Sequence, residues 1–170
     1  PSLEQYRQKT FYKTASMFAN GLKSAAVAGG HAPEVSAEAF SYGKHLGMAF
    51  QLVDDVLDFT GNAEEMGKPV LSDLGSGVST APAIFAREEF PEMEDLAARR
   101  YSGDGDVGRA AELVARSSGV ARTLEMAEAH TNRALQALGR LPDPECSHAE
   151  ACRVALVDVD AGRRREAFQQ

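Results

Sequence analysis

Apolar residues recur along this chain at the three- and four-residue spacing of helices, and period-2 alternation is scarce. The pattern predicts a first helix from about Leu3 to about Val27, stopped by Gly29-Gly30. A second helix starts after Pro33 and runs to about Phe59, ending at Gly61-Asn62. Its apolar positions Leu46, Phe50, Val53 and Leu57 fall at i, i+4, i+7 and i+11, which reads as one stripe facing a core. Gly67 to Gly77, with Pro69 inside it, reads as a loop. A short helix follows from about Thr80 to Phe90, with Pro82 tolerated in its first turn. After Pro91 come a helix to about Tyr101, a glycine-rich turn from Ser102 to Gly105, a helix begun by Asp106, and another from about Val120 to about Leu138. Leu141 to Cys146, with two prolines, reads as a hinge before a terminal helix. The expected architecture is one all-α unit, a helical bundle with short connections.

Composition changes this picture little. The 170 residues are 44% hydrophobic and 25% charged, values of an ordinary globular domain. A net charge of −7 gives no general electrostatic reason to bind nucleic acid. Arg163, Arg164 and Arg165 read as a solvated helix end. Cys146 and Cys152 form no CxxC pair, and His148 alone completes no zinc site, so free thiols are expected. No apolar run is long enough to cross a membrane as a helix. The start, Pro-Ser-Leu-Glu-Gln, has no targeting character and no initiator Met, so a fragment or processed chain is expected.

The second helix carries the chemistry. Asp54 and Asp58 are i, i+4 and share a helical face, and Asp55 lies about 100° round from Asp54. Gln51 is one turn before Asp54, and Gly47 and Lys44 continue the polar stripe. Three carboxylates so close repel one another, and Asp is a poor residue for a helix interior. A hard divalent cation offsets both penalties: Mg²⁺ prefers oxygen ligands and shares one or two carboxylates with substrate phosphates. The competing reading is a solvated acidic face. In the first helix Thr10, Lys13, Thr14 and Met17 follow i, i+3, i+4, i+7. A lysine one turn from a threonine can hold a diphosphate oxygen, although a surface lysine shows the same spacing. Lys68, after the acidic helix, is a second cation within reach of a metal-bound diphosphate.

Together these segments resemble the trans-isoprenyl diphosphate synthases. The matching pieces are Lys13-Thr14-Ala15, then Phe50-Gln51 followed by Asp54-Asp55-x-x-Asp58, then Gly67-Lys68-Pro69, and Asp73-Leu74 with Thr80-Ala81-Pro82. Their order and spacing match the second half of that family over at least Tyr6 to Leu141, and the acidic piece looks like its second aspartate-rich motif. Phe11 to Ser16, Leu57 to Gly61, and Thr80 to Pro91 are similar to long-chain members of the solanesyl type.

The resemblance implies an isoprenoid-synthase bundle, of which residues 1–170 are the C-terminal half, with the N-terminal half absent. It implies head-to-tail condensation of isopentenyl diphosphate with an allylic diphosphate, giving a long-chain polyprenyl diphosphate for a prenylquinone. It implies Mg²⁺ on Asp54, Asp55 and Asp58, diphosphate contacts from Lys13 and Lys68, and Thr14 and Gln51 facing the reacting carbons. Released pyrophosphate serves as the base, so no role falls to His31, His45, His130 or His148. A homodimer or heteromer is implied for the intact enzyme, in a plastid, with cytoplasm or mitochondrion as alternatives. The fragment alone is expected to be inactive and to expose apolar helix faces.

Two departures stand out. No second DDxxD occurs, and Val78 follows Gly77 where the family often has lysine, a position at which the solanesyl-like members also vary. A regulatory, non-catalytic subunit predicts eroded acids and lysines, which are present here. A terpene cyclase predicts a metal motif that Asp73-x-x-Ser76-x-x-x-Thr80 does not complete. A plain helical interaction module explains the periodicity and not the registered pieces.

Overall fold

A computed structural model describes residues 1–61 and 70–142. Residues Pro1–Arg140 form one compact unit. The predicted hinge beyond Pro142, the terminal helix, both cysteines, the arginine run and Lys68 lie outside the described residues.

The first predicted helix is one rod in three parts. α1 spans Leu3–Thr10, α2 spans Ser16–Ala28, and a π-helical turn, Phe11–Ala15, joins them. A capping box starts α1: Gln5 N–H donates to Ser2 Oγ at 3.2 Å and Ser2 N–H to Gln5 Oε1 at 2.8 Å. In the π turn the N–H of Ser16 reaches the carbonyl of Phe11, five residues back. The turn inserts one residue into the helical register, so the Thr10-Lys13-Thr14-Met17 stripe does not stay on one face. Thr10 is buried, while Met17 is 70% exposed. Residue spacing carries no signal for such a bulge, which often marks a functional segment.

α3, Pro33–Thr60, is 28 residues long, about 42 Å at 1.5 Å per residue. Pro33 opens it at the first helical position, where its missing N–H costs nothing. α2 and α3 touch through glycines. A Cβ on Gly43 would sit 2.5 Å from the carbonyl oxygen of Phe18, and one on Gly47 would sit 2.6 Å from Cα of Ala15. The two backbones therefore approach closely where Lys13-Thr14-Ala15 passes α3.

The remaining described elements are α4 (Ser72–Gly75), α5 (Ala81–Glu89), α6 (Glu92–Ala98), α7 (Asp106–Arg116) and α8 (Gly119–Gly139). α4 is a one-turn helix within the segment expected to be loop. No strand occurs among the described residues. α8 lies along α3, where Tyr42 packs with Ala134 and Ala137. The largest cluster joins Leu74, Met93, Leu96, Tyr101, Leu113 and Val114 under α5 to α7. A second cluster holds Tyr6, Leu52, Ala81, Ile84 and Ala127 together.

The apolar stripe expected on α3 packs against the core at only two of its four positions. Leu46 and Val53 do pack against core clusters, but Phe50 and Leu57 are 44% and 43% exposed. The buried side instead carries Leu52, Asp55, Val56 and Asp58. α3 is enclosed by α2 and α8, so neighbours close on it from more than one side. The side covered by α1, α4 and α5 includes two carboxylates.

Candidate active site

Asp55 is 1% exposed and sits among three donors. Tyr6 Oη donates to its Oδ2 at 2.6 Å, Gln51 Nε2 donates to Oδ1 at 3.0 Å, and Ala81 N–H donates to Oδ2 at 3.3 Å. The last donor opens α5, where free N–H groups favour an anion. Burial raises the Asp55 carboxyl above its usual value, the three hydrogen bonds pull it back, and the nearby Asp73 charge pushes it up again. Burial and the Asp55 charge also raise the Tyr6 phenol, which stays a donor.

Gln51 connects the site. Thr14 Oγ1 donates to Gln51 Oε1 at 2.9 Å, and Gln51 Nε2 donates both to Asp55 and to Asp54 Oδ2, the latter at 3.2 Å. Thr14, Gln51, Asp54 and Asp55 therefore form one hydrogen-bonded chain across two helices. The Gly47 crossing one turn before Gln51 brings Ala15, and with it Thr14, to that position.

This chain borders a cavity of about 770 Å³. Lys13, Gln51, Asp54 and Asp55 line it, together with Lys9, Asp73 and Arg100. Thr14 reaches it only through Gln51. Lys68 lies outside the described residues.

Asp58 is elsewhere. It is fully buried and accepts Ser72 N–H at 3.1 Å, Ser72 Oγ–H at 2.9 Å and Asp73 N–H at 3.2 Å. It thus holds the first turn of α4, after Leu71 in the left-handed region at φ 59°, and so fixes Asp73 on the cavity wall. Asp54 and Asp55 line the cavity, and Asp58 is not among its lining residues. No group of three or more acidic, histidine or cysteine side chains is arranged to hold a metal among the described residues. Two adjacent carboxylates remain on the cavity side, which suits Mg²⁺ sharing one or two carboxylates with substrate phosphates.

Tyr6, Asp73, Lys9 and Arg100 carried no role in the sequence reading. Tyr6 meets Asp55 across 49 positions, a separation that no local pattern reports. Asp73 stands in the quoted Asp73-Leu74 piece, so that piece was its signal. Arg100 and Tyr101 take left-handed backbone, φ 58° and 55°, which costs about 1–2 kcal/mol per non-glycine residue. The buried Tyr101 ring offsets this, with its Oη 2.5 Å from Ser79 Oγ.

The polyprenyl synthetase family model matches residues 1–117. Solanesyl-diphosphate synthase 1, mitochondrial, of Oryza sativa subsp. japonica is 42% identical over 158 residues, 93% of this chain and 37% of that protein. The apo Arabidopsis medium/long-chain length prenyl pyrophosphate synthase superposes with a TM-score of 0.82 at 44% identity, covering 93% of this chain and 53% of that one. Polyprenyl synthase of Caulobacter crescentus CB15, complexed with calcium and isoprenyl diphosphate, gives 0.74 at 33% identity, covering 84% and 45%. The chain therefore spans about a third to a half of these relatives. It belongs to the polyprenyl synthetase family.

Proposed function

We propose that this chain forms the diphosphate-binding wall of a Mg²⁺-dependent long-chain polyprenyl diphosphate synthase and is the C-terminal half of that enzyme's domain. The reaction is condensation of isopentenyl diphosphate with an allylic diphosphate. The observation that carries the reading is the Thr14–Gln51–Asp54/Asp55 chain bordering the cavity that Lys13 also lines.

Asp54 and Asp55 are the residues that would hold Mg²⁺, which would neutralise the departing diphosphate. Lys13 places an ammonium against the same diphosphate. Gln51 fixes both carboxylates and orients the Thr14 hydroxyl toward the reacting carbons. Asp58 acts at one remove, holding Ser72 and Asp73 in place. Lys68 is a further diphosphate contact in this reading. The Caulobacter relative, which holds a divalent cation with an isoprenyl diphosphate, supports the ligand class. The rice relative's mitochondrial name supports an organellar location.

In a full-length enzyme carrying this chain, Asp54→Ala is expected to lower isopentenyl diphosphate incorporation at least about 100-fold, the scale of losing one charge-stabilising group, with the helical circular dichroism retained. An unchanged rate would remove the metal assignment.

A further inference from the structure

The cavity has a second cationic side that the family resemblance does not supply. Val78 follows Gly77, so that stretch of the cavity wall brings no charge of its own. Arg100 lines the same cavity from the turn after α6. We propose that Arg100 is a diphosphate-binding residue of this cavity. This rests on the diphosphate reading above.

Four observations carry it. The backbone at Arg100 and Tyr101 is held in the left-handed region, stabilised by Tyr101 N–H donating to Leu96 O at 2.9 Å and by the Tyr101–Ser79 hydroxyl contact. With Arg100 N–H donating to Ala97 O at 3.0 Å, this is the paired bonding of a helix end, and it fixes where the Arg100 side chain leaves the backbone. The arginine also lies over Gly77: a Cβ there would sit 3.0 Å from Arg100 Nε and 3.1 Å from its Cβ. Glycine at that position, with φ +74°, leaves room for the side chain to cross toward the cavity. Its charge is not engaged either. Arg99, the preceding residue, is locked onto Asp106 by two contacts of 2.7 and 2.8 Å, whereas no ion pair forms at Arg100 among the described residues. Finally, Thr80, buried in the same wall, has a hydroxyl without a hydrogen-bond partner among the described residues. A planar guanidinium matches the oxygens of a diphosphate, which arginine binds through two parallel N–H groups.

The test is titration calorimetry of a full-length enzyme carrying this chain with inorganic pyrophosphate in Mg²⁺, comparing wild type with Arg100→Gly, Arg100→Lys, Lys13→Ala and Asp54→Ala. Glycine accepts the left-handed backbone, so Arg100→Gly is expected to keep or raise the melting temperature while weakening pyrophosphate binding at least tenfold. Arg100→Lys restores part of the affinity. A residue with a purely structural role would move the melting temperature and not the affinity. If Lys13→Ala and Asp54→Ala weaken binding while Arg100→Gly stays within twofold of wild type, the Arg100 proposal is wrong and the wider reading stands. If wild type takes up no pyrophosphate, both fall.

Discussion

At the scale of single residues, the site depends on how one buried carboxylate is kept ionisable. Asp55 faces burial and the Asp73 charge on one side and three donors on the other. Tyr6→Phe removes the shortest of the three. The Asp55 carboxyl is then expected to titrate at higher pH, seen by carbon-detected NMR, with stability in urea lower by about 1–2 kcal/mol. An Asp55 titration unchanged by this substitution would show that the phenol does not govern that charge. Asp58 makes a different prediction. Its oxygens accept three hydrogen bonds from the start of α4. Asp58→Ala is expected to cost about 2–3 kcal/mol, since it leaves N–H groups without acceptors. It is expected to do so equally with and without Mg²⁺. A loss that appears only in Mg²⁺ would instead make Asp58 a ligand.

At the scale of elements, two contacts of α3 are decisive. The first is the crossing with α2, where Gly43 and Gly47 lie against backbone atoms at distances no Cβ tolerates. Gly47→Ala is expected to force the helices apart, at a cost of about 1–3 kcal/mol as for other overpacked sites. It is also expected to disturb Thr14–Gln51 one turn away, so pyrophosphate affinity falls together with melting temperature. The second is the seam with α8, where His45 Nδ1 lies 2.9 Å from His130 Nδ1. One neutral ring donates and the other accepts, and protonating both would set two N–H groups against each other. Burial is the main cause that lowers both histidines, His130 to about 4 from 6.5, with the His45 ring, Arg133, Arg7 and Lys44 adding to the shift at His130. The unfolded chain therefore takes up protons that the folded seam refuses. The contribution is fully present above pH 6.5 and is lost as pH falls toward about 4. His130→Gln is expected to flatten that acid limb in a series of urea melts by on the order of 2 kcal/mol.

At the scale of the whole molecule, the described residues leave large apolar side chains in the open. Tyr12 is 69%, Met17 70%, Val27 59% and Phe50 44% exposed, all on the π turn, α2 or α3. Apolar surface in such amounts drives association in water. The chain is expected to self-associate in sedimentation velocity, and Met17→Asp combined with Phe50→Glu is expected to shift it toward monomer. A monodisperse monomer for wild type would show that these residues do not form a sticky surface. No helix among the described residues is long and apolar enough to cross a membrane, so this exposed surface is not a membrane span.

The sequence by itself determined what nearest neighbours along the chain determine. Helix bounds at Gly29-Gly30, Pro33 and Asp106 follow from glycine and proline backbone restrictions and agree with the observed ends within a few residues. The Gln51–Asp54–Asp55 cluster was legible for the same reason, because i, i+3 and i, i+4 geometry depends only on the helix. Tertiary structure decided which side of α3 is covered, and so that Asp58 holds α4 while Asp55 meets Tyr6. It also decided that a π turn carries Lys13 and Thr14, and that Arg100 reaches the cavity of Asp54. Burial of a helix face depends on what packs against it, and those partners lie tens of positions away, beyond the reach of any local periodicity.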